Sequence, residues 1–324
     1  MSKFGWMSGK EFLEKEMPRR DFIINNILRE KDSMILVGNE KSGKSLFIFQ
    51  LICSLTSKHP FIDRFEVTKE SKVTYIQLEG EIEDSQDRMK RMVKTLDINP
   101  ELFQIMFLPT LNLEEKGSML NVVKEIKNYH VPDVVIIDPL YFAFDGDLND
   151  NKVIRKVLSH VRIMKDILGC SVILVHHTHK LRFNMFGGKL DEGDDVLFGS
   201  KFLKAWPDHV ILFHYDVKTN TRIFSCTTQR SGDVTKECTL RLVEPDPLYF
   251  EECVDHRQNS HQLILDLLSK EEFKDGLPVQ DIIDKANVSR TIFYRSIKEL
   301  LTSGKVIKKT DSRPVVYRAK GDTK

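Results

Sequence analysis

The chain has 324 residues, 41% apolar and 30% charged, an ordinary soluble composition that allows one large α/β domain plus a small one. Net charge is +1, unevenly shared: residues 256–324 carry 14 Lys/Arg against 9 Asp/Glu, and the remainder carries 35 against 39. No apolar run approaches bilayer-spanning length, MSKFGWMSGKEF lacks a signal-peptide core, and the five cysteines are scattered without C-x-x-C spacing, so a membrane anchor, a secreted disulfide framework and a cysteine metal site are not expected and the chain reads as cytoplasmic.

Residues 1–32 carry Trp6, Phe12 and Pro18, and the spacing over Asp21–Glu30 predicts a helix. This stretch reads as an N-terminal arm, either a lid on its own core or an arm for a neighbouring copy. Next comes SMILVGNEKSGKS. Met34–Val37 is a short apolar strand, Gly38, Gly43, Lys44 and Ser45 complete G-x-x-x-x-G-K-S, and Leu46–Phe49 opens a helix. Strand, glycine-rich loop and helix in that order make a P-loop. The loop Gly38, Asn39, Glu40, Lys41, Ser42, Gly43, Lys44, Ser45 and Leu46 is therefore the candidate phosphate cradle. Its backbone N–H groups and helix N-terminus favour phosphate oxygens. Lys44 is expected to reach the β- and γ-phosphates, and the Ser45 hydroxyl to ligate Mg²⁺. No N-K-x-D-like guanine reader is present, which favours ATP.

KVTYIQLEGE (72–81) predicts a strand ending in acid, with Glu79 and Glu81 facing the phosphates from its carboxyl end. A carboxylate there can orient or deprotonate the attacking water. A polar helix with Arg88 and Arg91, a strand over 103–108 and a helix over 118–129 follow. DVVIID (133–138) is an all-apolar run ending in aspartate, the pattern of a central parallel strand. Asp138 is expected to hold Mg²⁺ through a water opposite Ser45, a Walker-B arrangement. The acids of Asp145–Asn151 read as a loop or N-cap cluster before a helix with Val153, Val157, Val161, Met164 and Leu168 on one face. SVILVHHTHK (171–180) is another apolar strand. No Cys or acid lies at ligand spacing from His176, His177 and His179, so a phosphate-sensing role is expected before zinc. Residues 181–198 form a long loop, of the kind that is functional or disordered.

Beyond it the sequence predicts a short helix with Trp206, a hairpin over 209–226, one strand over 239–250 and an acidic hinge at Glu251-Glu252. From His261 three amphipathic helices and a basic β-ribbon follow, the pattern of a winged helix. Its basic excess fits an anionic partner, DNA or a protein. Arg290, Arg295, Lys298, Lys308, Lys309 and Arg313 are the candidate DNA contacts of this domain.

The ordered set GNEKSGKS, LEGE, VVIIDP and VHHTHK resembles the RecA superfamily, in particular the KaiC-related branch that includes plasmid RepA-type hexameric helicases. The resemblance covers residues 15–235. It implies an α/β fold, a RecA-like P-loop NTPase core (33–252) with a mostly parallel sheet, to which the winged-helix domain (253–324, linker about 252–260) is appended. It implies Glu79 as catalytic glutamate and His177 in the sensor motif. The loop 181–198 becomes a DNA-facing loop of a ring, with Lys180, Arg182 and Lys189 toward single-stranded DNA. Arg230 becomes an arginine finger acting in trans in a homo-oligomer, expected as a hexamer. Two features depart from the family: Thr228 stands where a Lys is common, and the loop carries Asp191, Glu192, Asp194 and Asp195. The expected activity is Mg²⁺-dependent ATP hydrolysis by a DNA motor or helicase of replication or recombination, in a mobile element. An ATP-controlled DNA-binding regulator or loader, a recombinase-like filament and a signalling ATPase are the rival readings.

Overall fold

The computed structural model describes residues 6–17, 19–108, 110–178, 201–217, 219–229, 237–253, 263–286, 290–309 and 315–320. The chain separates into two compact units, Met1–Glu252 and Cys253–Lys324. No helix among the described residues is long and apolar enough to cross a membrane.

The first unit opens with α1 (Gly9–Glu14), capped by Ser8 and burying none of its residues. The helix expected over Asp21–Glu30 is instead a hairpin of β1 (Phe22–Ile24) and β2 (Leu28–Arg29). Ile23, Ile24, Ile27 and Leu28 sit at a spacing that also suits a helix, but all four are buried in the core. Asn26, with φ of 59°, makes the left-handed turn between the strands.

There follow β3 (Ser33–Asn39), α2 (Lys44–Ser57), β4 (Val73–Gln77), α3 (Ile82–Met92), β5 (Phe103–Phe107), α4 (Lys116–Tyr129), β6 (Val134–Asp138), α5 (Asn151–Leu168), β7 (Ser171–Thr178) and α6 (Lys201–Ala205). The unit closes with β8 (His209–Asp216), β9 (Thr221–Gln229), β10 (Cys238–Val243) and β11 (Tyr249–Glu252). One nine-stranded sheet runs β11-β10-β9-β8-β3-β7-β6-β4-β5. The six strands from β8 to β5 are mutually parallel, and β8 through β11 form an antiparallel extension.

Alternation along the strands divides the core between two faces. Met34, Leu36, Tyr75, Ile136, Ile173 and Val175 point toward α2 and the β1–β2 hairpin. Ile35, Val37, Ile76, Ile137, Val172 and Leu174 join the core of α4 and α5. Both faces are covered, which is why β3, β6 and β7 carry unbroken apolar runs. Helix α5 starts where the Asp150 carboxylate accepts from the Lys152 N–H at 2.7 Å and ends on left-handed Gly169. The acids before α5 therefore serve as cap and turn partners; Asp145 accepts from Asn112 and Asp147 from Asn149.

Two expectations for the end of this unit are corrected. Residues 239–250 are not one strand, because the segment with Pro245 and Pro247 folds back and pairs β11 with β10. Glu251 and Glu252 lie in β11, not in a hinge. Phe250 is locked there by two bonds to the α2 side chain Gln50, at 2.8 and 2.7 Å.

The second unit contains α7 (residues 263–268), β12 (Leu277–Pro278), α8 (Val279–Ala286), α9 (Arg290–Thr302), β13 (Val306–Lys309) and β14 (Val316–Ala319). Its strands are ordered β12-β14-β13, all antiparallel. Ile264, Leu268, Ile282, Phe293, Ile297, Val306 and Tyr317 form its own core.

Candidate functional site

The site grows from the end of β3. Gly38 has no room for a side chain: a Cβ there would overlap the Phe213 carbonyl oxygen and lie 3.2 Å from its carbon. Lys41 (φ 58°) and Gly43 (φ 96°) take left-handed conformations that curl the loop, and α2 begins at Lys44. Under the loop Phe47 packs against Phe213 and Phe224 with centroids 4.6 and 5.4 Å apart, so α2 is anchored in aromatic core.

Lys44 is buried. Its Nζ donates to the Gly38 and Asn39 carbonyls at 2.8 and 2.7 Å and lies 3.1 Å from His177 Nδ1. Burial pulls its pKa down to about 8, opposed by the charges of Asp138, Glu40 and Glu79. Strand β7 lies between β3 and β6 and pairs Gly38 with His177, which is how the histidine arrives beside Lys44. Burial, and then the Lys44 charge, lower the His177 pKa to about 4. The imidazole is thus neutral near pH 7, and Nδ1 accepts from the ammonium.

Asp138 ends β6 opposite Gln77 of β4 and is only 4% exposed. Burial raises its pKa, while hydrogen bonds from Tyr75 and Ser45 and the Lys44 charge oppose the rise. The Tyr75 hydroxyl donates to Asp138 Oδ2 at 2.8 Å. Glu79 is exposed in the turn after β4, where Gly80 has φ of 85°. That turn is braced: Ser85 Oγ donates to Gln77 Oε1 at 2.8 Å, and Gln77 Nε2 donates to the Glu79 carbonyl at 2.8 Å. A cleft of about 270 Å³ is lined by Lys41, Ser45, Tyr75, Gln77, Glu79, Glu81, Arg88, Asp138 and His177 among others. It lies at the carboxyl ends of parallel strands, the usual ligand position in such sheets. Buried oxygen donors beside a buried ammonium and a curled loop form a donor set suited to a triphosphate and a hard divalent cation.

The fold therefore brings Lys41, Ser45, Asp138, Glu79 and His177 to one cleft, with the buried Lys44 beside it against His177. The Leu46 side chain is partly buried against the core. Lys180, Arg182, Lys189, Arg230 and Arg313 lie outside the described residues, as do the side chains of Arg290 and Arg295. In the second unit Lys298 and Lys308 are exposed and Lys309 is partly so. Sequence reasoning gave no role to Tyr75, Gln77, Ser85 or Arg88. The available signal was a Tyr and a Gln two apart, hence on one face, in an otherwise apolar strand that leads to Glu79.

A family model described as AAA domain matches residues 7–182. No curated protein sequence matches the chain. Among solved structures, an ATPase domain superposes with a TM-score of 0.50 at 13% identity, covering 66% of this chain and 82% of that one. A DnaB-like replicative helicase, solved with its interactions with primase, gives 0.52 at 13% identity, covering 68% of this chain and 57% of its own. A KaiC-like protein of Pyrococcus horikoshii OT3 gives 0.47 at 14% identity over 72% of this chain and 99% of its own. With the P-loop assembled on a six-stranded parallel sheet, and the family model covering more than half of its length, the chain belongs to the AAA domain family and is a P-loop ATPase of RecA-like fold.

Proposed function

We propose that the protein is an Mg²⁺-dependent ATPase that assembles into a ring on DNA and uses hydrolysis to translocate or unwind it. The observation that carries this reading is the convergence of Ser45, Asp138, Glu79 and His177 on one cleft, with Lys44 against His177 beside it. On binding ATP, Lys44 exchanges two neutral carbonyls for phosphate oxygens, a stronger charge-assisted pairing. Ser45 and Asp138 hold the cation, which when bound neutralises charge on the phosphates. Glu79 takes the proton of the attacking water. His177 loses its Lys44 partner when the lysine turns to phosphate, which couples nucleotide occupancy to the end of β7 and the loop beyond it.

The oligomer and the DNA complete the proposal. Arg230 reaches the neighbour's phosphates. Lys180, Arg182 and Lys189 face single-stranded DNA inside a hexamer. The second unit, whose described residues include three α-helices and a three-stranded antiparallel sheet, acts as a winged helix that touches DNA through Arg290, Arg295, Lys298, Lys308, Lys309 and Arg313. A likeness of fold to a solved ATPase domain and to a DnaB-like replicative helicase supports the motor reading. The acidic run Asp191, Glu192, Asp194 and Asp195 favours a second reading, an ATP-controlled regulator or loader that unwinds nothing.

The test is steady-state ATP hydrolysis without DNA, with single strands and with duplex, using Lys44→Ala as the blank. Stimulation by single strands, lost in Arg230→Ala, is the expected result. Turnover indifferent to both DNAs removes the motor and leaves the regulator, and unchanged turnover in Arg230→Ala removes the shared site.

The Lys44 environment gives a pH dependence. Phosphate binding needs the cation, so nucleotide affinity falls by about tenfold per pH unit above about 8. Stability moves the other way. The folded value lies below the unfolded 10.5, so the folded chain binds fewer protons between about 8 and 10.5, and Lys44 makes stability rise with pH across that window. Fluorescent-nucleotide titrations at pH 7, 8 and 9 read the first effect; equal affinities at 7 and 9 contradict it.

A further inference from the structure

Tyr75 is the largest side chain buried beside the cleft, and the ATPase chemistry above leaves it without a task. It is 1% exposed, and its ring packs edge-on against Phe49 of α2 at 5.4 Å. Its hydroxyl reaches out of this apolar setting to Asp138 Oδ2 at 2.8 Å. Ser45 lies close enough to both to lower the pKa of the phenol and of the carboxylate. A phenol is protonated at neutral pH, so the hydroxyl donates to the carboxylate. In the strand VTYIQ a phenylalanine would fill the same core volume without bringing a polar atom that needs a partner.

We propose that Tyr75 is a positioning residue of the cation site: its phenol, clamped by the core, aims the Asp138 carboxylate at the Ser45 hydroxyl and thereby sets how tightly a divalent cation is held beside the nucleotide. The inference rests on the Mg-ATP reading of the cleft and adds the residue that tunes it. A freely turning carboxylate has to be ordered each time a cation enters. One whose second oxygen is held by a fixed donor is already aimed, and hydrogen-bonded partners of ligands contribute about 10- to 100-fold to metal affinity. The hydroxyl's hydrogen bond goes to Asp138, so its effect passes through that carboxylate.

The experiment uses the full chain and a fluorescent, slowly hydrolysed ATP analogue, titrated with Mg²⁺ and separately in excess chelator. The expected result for Tyr75→Phe is a rise of about 10-fold or more in the Mg²⁺ concentration at half-saturation, with metal-free nucleotide affinity unchanged. The same substitution in an Asp138→Asn background is expected to add nothing further. An unshifted Mg²⁺ midpoint in Tyr75→Phe overturns the proposal, as does an equal loss in chelator, which marks a merely structural role. If Tyr75→Phe does not fold, 3-fluorotyrosine at position 75 keeps the ring and alters the donor strength. A shifted midpoint then supports the proposal, and an unshifted one overturns it. Failure of the underlying reading looks different: the unsubstituted chain then shows no Mg²⁺-dependent nucleotide binding at all.

Discussion

Glu79→Gln binds ATP as the parent chain does and hydrolyses it at least about 100-fold more slowly, the scale of a lost general base. Three acids line the cleft from the β4–α3 segment, Glu79 in the turn after β4, Glu81 at the N-cap position of α3 and Asp84 in its first turn; the first two lie nearest the strand end. The Ser85–Gln77–Glu79 hydrogen bonds brace the turn at Glu79. A base has to be held at one distance from its water through many turnovers, so the braced acid is the candidate. Glu81→Gln is therefore expected to keep turnover within a fewfold of the parent. Single-turnover hydrolysis, with nucleotide binding measured separately, decides between them. Loss of turnover in Glu81→Gln with Glu79→Gln active would reassign the base. The bracing yields a subsidiary result: Ser85→Ala loosens the turn, and its loss is expected in kcat, with nucleotide affinity retained.

Gly38→Ala has the largest expected effect on stability. The added methyl meets the Phe213 carbonyl, which is backbone of a neighbouring parallel strand and cannot rotate away, and Ser42 Oγ lies 3.3 Å off. Relief requires β3 to part from β8 just where the P-loop leaves the sheet. Overpacking of this kind costs about 3 kcal/mol. For a unit of this size that lowers Tm by about 6–12 °C. Nucleotide affinity falls with it, because the loop starts at Gly38. Gly117→Ala is the control, since a Cβ there meets nothing within 4 Å. Thermal melts of the two variants check the prediction; a Gly38→Ala melt equal to that of Gly117→Ala would contradict it.

The P-loop and the strands that line the cleft were legible in the chain because their signals are local. GNEKSGKS lies between an apolar strand and an apolar helix, and the run VVII ends at the aspartate that the fold buries beside Ser45. The helices α8 and α9 were readable from amphipathic spacing alone, and the parallel sheet from apolar runs alternating with helices. Each of these signals is read from residues close in sequence, where backbone geometry and periodicity act on neighbours.

What the sequence left open depends on partners far along the chain. Ile23, Ile24, Ile27 and Leu28 suit a helix or a hairpin equally, and burial in the shared core selected the hairpin. The hinge expected at Glu251-Glu252 became a strand because β10 and Gln50, 200 residues before Phe250, hold it in the sheet. Tyr75 reads as a core aromatic until β4 is placed beside β6 and its hydroxyl meets Asp138. His177 comes next to Lys44 only because β7 inserts between β3 and β6. Composition, motif order and local periodicity determined by themselves that this chain builds a phosphate cradle on a parallel sheet. Strand order and register, set by burial of apolar surface on both faces, decided which polar side chains share the cleft, since hydrogen bonds between distant residues form only after the sheet has brought them within about 3 Å.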